Sequence, residues 1–112
     1  MEGSNQAPII DERSGEEIVR VKLPRNGEII GIVQRRLGYC KMYVKCSDDK
    51  IRLCRIPGKY TRRLWVRETD VVIVKPWEVQ SDKRGDVIYK YRKAQVAWLK
   101  RNGHLKELEN DF

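Results

Sequence analysis

The strongest chemical signal in this chain lies between residues 52 and 66, where the sequence reads RLCRIPGKYTRRLWV. Five of these residues are cationic, Lys50 precedes them, and the next acidic residue is Glu68. Cations neutralise phosphates, and the rings of Tyr60 and Trp65 are surfaces on which bases can stack. A charge run is usually a solvated surface, but this one lacks interspersed acids and contains aromatic residues. The stretch therefore predicts a nucleic-acid interface.

The dipeptide Pro57-Gly58 divides this stretch into two parts. Proline lacks a backbone N–H and glycine frees the backbone, so a strand must stop and turn there. The residues from Lys59 to Arg63 are then a cationic loop or a single helical turn between two buried strands. Because a strand holds each end of this loop, less entropy is lost when its cations are arranged around a polyanion.

The charge of the whole chain supports the same interpretation. The formal net charge is +8, but it divides into −4 over residues 1–17, +15 over residues 18–106 and −3 over residues 107–112. A strongly basic body is typical of proteins that bind phosphates. No apolar run approaches the roughly 18 residues of a membrane span, and no long amphipathic basic helix is present, so we expect no membrane partner.

The cysteine and histidine residues argue against a metal site or an enzyme. Cys40, Cys46 and Cys54 form no C-x-x-C pair, and the single histidine is His104. A structural zinc site needs four closely spaced ligands, and a catalytic cysteine needs a nearby base. We expect reduced core thiols in a cytoplasmic protein without a cofactor. A nuclease is also disfavoured because the acidic residues between positions 18 and 106 are scattered.

These residues must be positioned by strands, because hydrophobic alternation dominates the chain from Glu28 onward. We predict five strands, at 28–36, 39–46, 50–56, 70–75 and 86–92, with a bend or bulge at Gly31 in the first. A helix is predicted over Lys93–Asn102, with Ala94, Ala97, Trp98 and Arg101 on one side and a left-handed stop at Gly103. Leu105 and Leu108 continue it as a short turn.

The strand at 39–46 alternates most clearly. Cys40, Met42, Val44 and Cys46 share one face, which we assign to the core, and Tyr39, Lys41, Tyr43 and Lys45 share the other. The pattern also divides the chain into a disordered tail at 1–17, a barrel at 18–92, a helical segment at 93–108 and a second tail at 109–112. Five strands with a loop or turn between the third and fourth predict an all-β fold with a short C-terminal helix, a five-stranded OB-fold barrel whose middle strands bind oligonucleotides.

The order of these segments resembles a known family. The run at 52–66 is followed by DVVIV at 70–74, by DVIYKY at 86–91 and by LKRNGHL at 99–105. Together they resemble the translation initiation factor one-A family of archaea and eukaryotes over roughly residues 25–108. The acidic N-terminal segment and the short acidic C-terminal one favour an archaeal member. Members often have His and Arg at the positions of Arg55 and Pro57, so the charge is kept at the first position and lost at the second.

The resemblance implies a monomer that binds ribosomal RNA of the small subunit near the A site. It also implies that the protein promotes placement of initiator tRNA and mRNA, which are indirect partners, and other initiation factors are further candidate partners. It assigns RNA contacts to Lys41, Arg55, Lys59, Arg62, Arg63 and Trp65, and the pattern alone adds Arg35, Arg36, Tyr43, Lys45 and Arg52. The sequence leaves open whether Trp65 stacks on RNA or is buried.

One alternative function is a general single-stranded RNA chaperone of the cold-shock kind. Such proteins need several aromatic residues on the middle strands, whereas the single phenylalanine of this chain is Phe112. A protein-interaction module without an RNA role fits poorly with the +15 charge of residues 18–106.

Overall fold

The fold combines a closed barrel, a two-stranded sheet and one helix. The computed structural model describes residues 6–10, 18–38, 40–61, 64–106 and 108. The elements in chain order are β1 (Gln6–Ile10), β2 (Ile18–Lys22), β3 (Ile29–Arg36), β4 (Lys41–Cys46), β5 (Ile51–Arg55), a 3₁₀ turn (Gly58–Tyr60), β6 (Val71–Pro76), β7 (Arg84–Lys90) and α1 (Lys93–Arg101).

Strands β3 to β7 close into a five-stranded barrel in the order β3-β4-β5-β7-β6. All neighbours are antiparallel except β5 and β7, which run parallel, and β3 pairs with both β4 and β6. The prediction of an all-β, five-stranded OB-fold barrel with a short C-terminal helix is confirmed. Each of the five predicted barrel strands is present, with its ends shifted by two residues or fewer.

The apolar residues form two clusters that share the wall of the barrel. Inward-facing residues such as Met42, Val44 and Val74 fill the barrel. A second cluster, including Ile32 and Ile73, lies outside the wall and packs against other apolar residues that include Leu99 of α1. Residues 71–74 of β6 are thus buried on both faces, which explains why this part of the strand is a continuous apolar run.

Glycine permits a close approach of two strands in the barrel. A Cβ atom on Gly31 would lie 2.5 Å from Val44 Cγ1 and 3.0 Å from the Lys45 carbonyl oxygen. Such distances leave no space for a side chain, so the backbone of β3 can approach β4 here only because residue 31 is glycine. The irregularity predicted at Gly31 lies slightly later, where the pairing register shifts between Val33 and Arg35.

Helix α1 begins and ends with recognisable signals. The Arg92 backbone N–H donates to Gln95 Oε1 at 2.8 Å, and Gly103 after the helix has a φ of +79°. The predicted helix and its glycine stop are therefore present. Gln95 and Leu99, one helical turn apart, are the buried residues of the helix. Of the four residues that we predicted to share a side, Trp98 is half-buried against the second cluster, whereas Ala94, Ala97 and Arg101 are exposed.

The N-terminal region departs from the predicted organisation. Residues Gln6–Ile10, which we expected to be part of a disordered tail, form β1 and pair antiparallel with β2. Strand β2, which we assigned to the barrel, therefore belongs to this separate sheet. Ile9 and Ile10 favour a strand, and they lie opposite another strand-forming segment. This local pairing outweighs the polar composition of residues 1–17, on which the prediction of disorder was based. The rest of residues 1–17 lies outside the described part of the chain.

Val21 anchors β2 to the body of the protein. Its side chain is fully buried in the second cluster, together with Tyr91 and Leu99. The Tyr91 hydroxyl donates to the Lys22 carbonyl oxygen, and burial of the ring raises the pKa of this phenol. These contacts fix the end of β2 against the barrel and the helix.

Candidate nucleic-acid interface

The outward-facing residues of β3, β4 and β5 form two rows across the barrel. Lys41 lies opposite Arg55, and both side chains are exposed. In the neighbouring row Tyr43 lies between Arg35 on β3 and Leu53 on β5. Directly paired residues project from the same face of a sheet. We call the set Arg35, Lys41, Tyr43 and Arg55 the basic face; all four are exposed and all four were predicted RNA contacts.

Lys45 is a weaker member of this surface. It continues the outward side of β4 but is only partly exposed, and its ammonium group lies 3.5 Å from the Asp49 carboxylate. The structure therefore places Lys45 at the margin of the basic face, paired with an acid of the β4–β5 turn.

Trp65 is exposed, which decides the question of burial that the sequence left open. Its side chain is 58% exposed, and the guanidinium carbon of Arg36 lies 5.3 Å from the ring centroid. The Lys90 ammonium group donates to the Trp65 carbonyl oxygen at 2.8 Å and lies 3.5 Å from Asp70 Oδ2. An exposed ring beside a guanidinium group has the geometry of a base-stacking site. Lys90 was not among the predicted residues.

The turn after Pro57 has the predicted form of a single, anchored helical turn. The Tyr60 N–H donates to the Pro57 carbonyl oxygen at 2.9 Å, and the Leu64 N–H donates to the Tyr60 carbonyl oxygen at 3.0 Å. Tyr60 and Leu64 pack against the core inside the barrel, and Lys59 is exposed. The cation is thus presented from a fixed backbone. Arg62 and Arg63 lie outside the described residues.

Arg52 is placed differently from the prediction, which counted it as an RNA contact. The residue is only 3% exposed. Its guanidinium group donates to both oxygens of Asp48, at 3.1 and 2.9 Å, and its Nε donates to the Ser81 carbonyl oxygen at 2.6 Å. These bonds raise the pKa of Arg52 and hold the pKa of Asp48 below its usual value, in both cases mainly through the bond between the two side chains. The correction follows from strand alternation, because Arg52 shares its face with buried Cys54.

Three further residues extend the surface beyond the prediction. Arg84 on β7 lies opposite Leu53 and continues the row that contains Arg35 and Tyr43. Lys75 lies opposite Asp86, which in turn lies opposite Arg55. Trp77 follows β6 directly, and its ring lies near two guanidinium groups. The sequence could have identified Lys75 as an outward-facing residue, because it is the one charged residue of an otherwise apolar strand. The positions of Arg84 and Trp77 depend on the β5–β7 pairing, which local sequence patterns do not encode.

The cysteines have the environment of core residues. Cys46 and Cys54 are buried, and burial raises the pKa of Cys54 to about 12 and raises that of Cys46 as well. A thiol with a raised pKa is protonated at neutral pH and is a poor nucleophile. Within the described ranges, no cluster of three or more His, Cys, Asp and Glu side chains could hold a metal ion. In the same part of the chain, no helix is long and apolar enough to cross a membrane.

Comparison with known proteins gives a consistent result. The family model of "Translation initiation factor 1A / IF-1" matches residues 14–111. Proteins named translation initiation factor 1A are similar: that of Pyrococcus abyssi is 53% identical over 93 residues, covering 83% of this chain and 82% of the relative. That of Methanothermobacter thermautotrophicus is 50% identical over 91 residues, covering 81% of this chain and 92% of the relative.

A solved structure is also similar, at lower identity. The solution structure of translation initiation factor IF-1 from the Wolbachia endosymbiont strain TRS of Brugia malayi has a TM-score of 0.48 and 22% sequence identity to this chain. The match covers 62% of this chain and 82% of that chain.

Proposed function

The chain belongs to the translation initiation factor 1A / IF-1 family, whose members act in translation initiation, and we propose that it does so by binding ribosomal RNA of the small subunit. The contact is made near the A site through the basic face of the barrel. From there the protein promotes placement of initiator tRNA and mRNA, which it affects indirectly. Family membership implies no catalytic activity, and we propose none.

The observation that supports this proposal most is the arrangement of the basic face. Arg35, Lys41 and Arg55 lie on three adjacent strands, and Tyr43 lies opposite Arg35 on the outward side of β4 that also carries Lys41. Adjacent strands are about 4.8 Å apart, so the cations are spaced closely enough to contact neighbouring phosphates of one RNA segment. Because the strands fix the backbone at these cations, binding does not have to order it, which lowers the entropy cost.

Two flanking features extend the basic face into a larger interface. On one side Trp65 offers an exposed ring beside Arg36, suited to an unpaired base. On another, the anchored turn presents Lys59 to solvent. Arg62 and Arg63 follow this turn in sequence and remain part of the proposal as phosphate contacts. Arg52 is removed from it because its donors are used inside the protein.

The proposal is tested by co-sedimentation of the protein with purified archaeal small subunits, large subunits and free single-stranded RNA. We expect the protein to pellet with small subunits at near-stoichiometric ratio and to remain in the supernatant with large subunits. Equal affinity for free single-stranded RNA would instead favour the general RNA chaperone. Failure to bind small subunits would overturn the proposal.

A further inference from the structure

The residues around Trp77 form a cluster of which the predicted interface includes only Arg55. The guanidinium carbon of Arg55 lies 5.1 Å from the Trp77 ring centroid, and that of Arg84 lies 5.6 Å away. Asp86 Oδ1 accepts hydrogen bonds from Trp77 Nε1 at 2.9 Å and from Arg55 Nε at 3.3 Å. One carboxylate oxygen therefore holds both the indole ring and the guanidinium group in place.

We propose that Arg55 and Trp77 form a platform on which an unpaired RNA base stacks, with Asp86 as the residue that positions both. The inference rests on the proposed function, to which it adds a second base-binding site separate from Trp65. Guanidinium planes and aromatic rings are the two kinds of surface on which proteins stack unpaired RNA bases. Here the two are combined and fixed before any RNA binds.

The platform is accessible. The Arg55 side chain is 58% exposed although its Nε is bonded to Asp86. A groove of about 480 Å³ adjoins it, lined by Lys75 and Val79 among others. This volume lies within the range of small-ligand sites. Val79 is 74% exposed and offers an apolar edge beside the aromatic ring.

The charges and the sheet register indicate an RNA ligand. Lys41, Arg55, Asp86 and Lys75 lie opposite one another across four adjacent strands, so the platform continues the basic face without a break. Lys41 and Lys75 are exposed on either side of it, where they can neutralise the phosphates that flank a stacked base. Asp86 is bonded to Arg55, and Glu78 is the other acid of the groove.

The first test asks whether a base reaches the platform, using the isolated protein and a ten-nucleotide oligoadenylate. The three tryptophans give separate indole N–H signals in a ¹⁵N NMR spectrum, and Trp77→Phe identifies the signal of interest. We expect oligoadenylate to shift the Trp77 signal, whereas a polyphosphate without bases does not. Trp98, which stacks on His104 beyond the barrel, serves as the internal control. A Trp77 signal that oligoadenylate leaves unmoved would overturn the proposal.

The second test separates stacking from charge on the small subunit. Arg55→Lys keeps the charge but loses the planar group, so we expect affinity to fall about five- to tenfold while the salt dependence is unchanged. Lys41→Gln should make the plot of log affinity against log salt concentration less steep by about one unit, as expected for a lost phosphate contact. Trp98→Phe, an aromatic substitution outside the platform, is the control and should bind as the wild type does.

The outcomes of the second test distinguish this inference from the proposed function. Wild-type affinity in Arg55→Lys, together with weakened binding by Lys41→Gln, would overturn the platform and leave subunit binding intact. Absence of subunit binding by the wild-type protein would contradict the proposed function, and the oligoadenylate titration would then decide on the platform alone.

Discussion

Arg52 and Arg55 show that two arginines three residues apart on one strand can have different roles. Strand β5 alternates, so Arg52 points to the side of Cys54 and Arg55 to the side of Ile51. Arg52 joins the turn at Asp48 to the loop at Ser81 through its hydrogen bonds. Arg55 keeps a largely exposed guanidinium group. Position within the strand, more than residue type, decides which arginine is available to a ligand.

Substitution of these two arginines should therefore affect different properties. Arg52→Gln removes a buried cation with two bonded partners, and we expect the free energy of unfolding to fall by about 2–3 kcal/mol. Subunit affinity should change little once the protein is folded. Arg55→Gln should leave stability within about 0.5 kcal/mol and weaken binding. Urea denaturation and co-sedimentation of both variants measure these effects, and a stable, weakly binding Arg52→Gln would show that Arg52 contacts RNA after all.

Asp48 makes stability dependent on pH. The bond from Arg52 holds the pKa of Asp48 below its usual value near 4. A carboxylate whose pKa is lower in the folded protein stabilises it fully above the unfolded pKa, and this contribution is lost as pH falls through the folded value. The stability difference between wild type and Asp48→Asn should therefore shrink as the pH falls below about 4, the usual pKa of Asp. Glu78→Gln, at an exposed carboxylate, is the matched control.

Urea denaturation at a series of pH values measures this difference. A difference that stays constant until the protein unfolds in acid would contradict the assigned role of the Asp48 carboxylate.

At the scale of elements, β4 is the strand on which both the core and the interface depend. Met42, Val44 and Cys46 face inward and are buried, whereas Lys41 and Tyr43 face outward. The residue-by-residue alternation of a strand thus separates packing from binding within six residues.

This separation predicts opposite effects for two neighbouring substitutions. Met42 is 1% exposed, so Met42→Ala should lower the free energy of unfolding by about 2–5 kcal/mol through lost contacts and a cavity. Lys41→Ala should leave stability nearly unchanged and reduce RNA affinity. Denaturant titrations together with subunit binding compare the two variants. A stable Met42→Ala beside an unstable Lys41→Ala would mean that the faces of β4 have been assigned in reverse.

The elements that the sequence predicted are those whose signal is local. The alternation in β4, the apolar run of β6 and the glycine after α1 each follow from neighbouring residues. The parallel contact of β5 with β7 joins segments that are about 30 residues apart in sequence, and no local pattern contains it. For the same reason the sequence could predict that Lys41 and Arg55 face outward from their strands, but it could not place Trp77 beside Arg55.

At the scale of the whole molecule, charge is concentrated in the body of the chain. Residues 18–106 have a net charge of +15, whereas the segments before and after them are acidic. A field of this size attracts RNA from a distance and makes association dependent on salt. We propose that the outward-facing cations of the barrel then determine where the RNA is bound.

We propose that the cations of the barrel surface contact phosphates of the small subunit. The most direct test measures small-subunit affinity between about 50 and 200 mM salt for wild type and for the double variant Lys41→Gln/Lys59→Gln. Both lysines are exposed on the interface. The logarithm of the affinity falls as the logarithm of the salt concentration rises. We expect this dependence to become less steep in the double variant, by about one unit of slope for each lost contact. The control is Arg101→Gln/Lys106→Gln, which removes the same charge from exposed positions at the C-terminal end of the chain and should keep the wild-type slope. Equal slopes for all three proteins would contradict the claim.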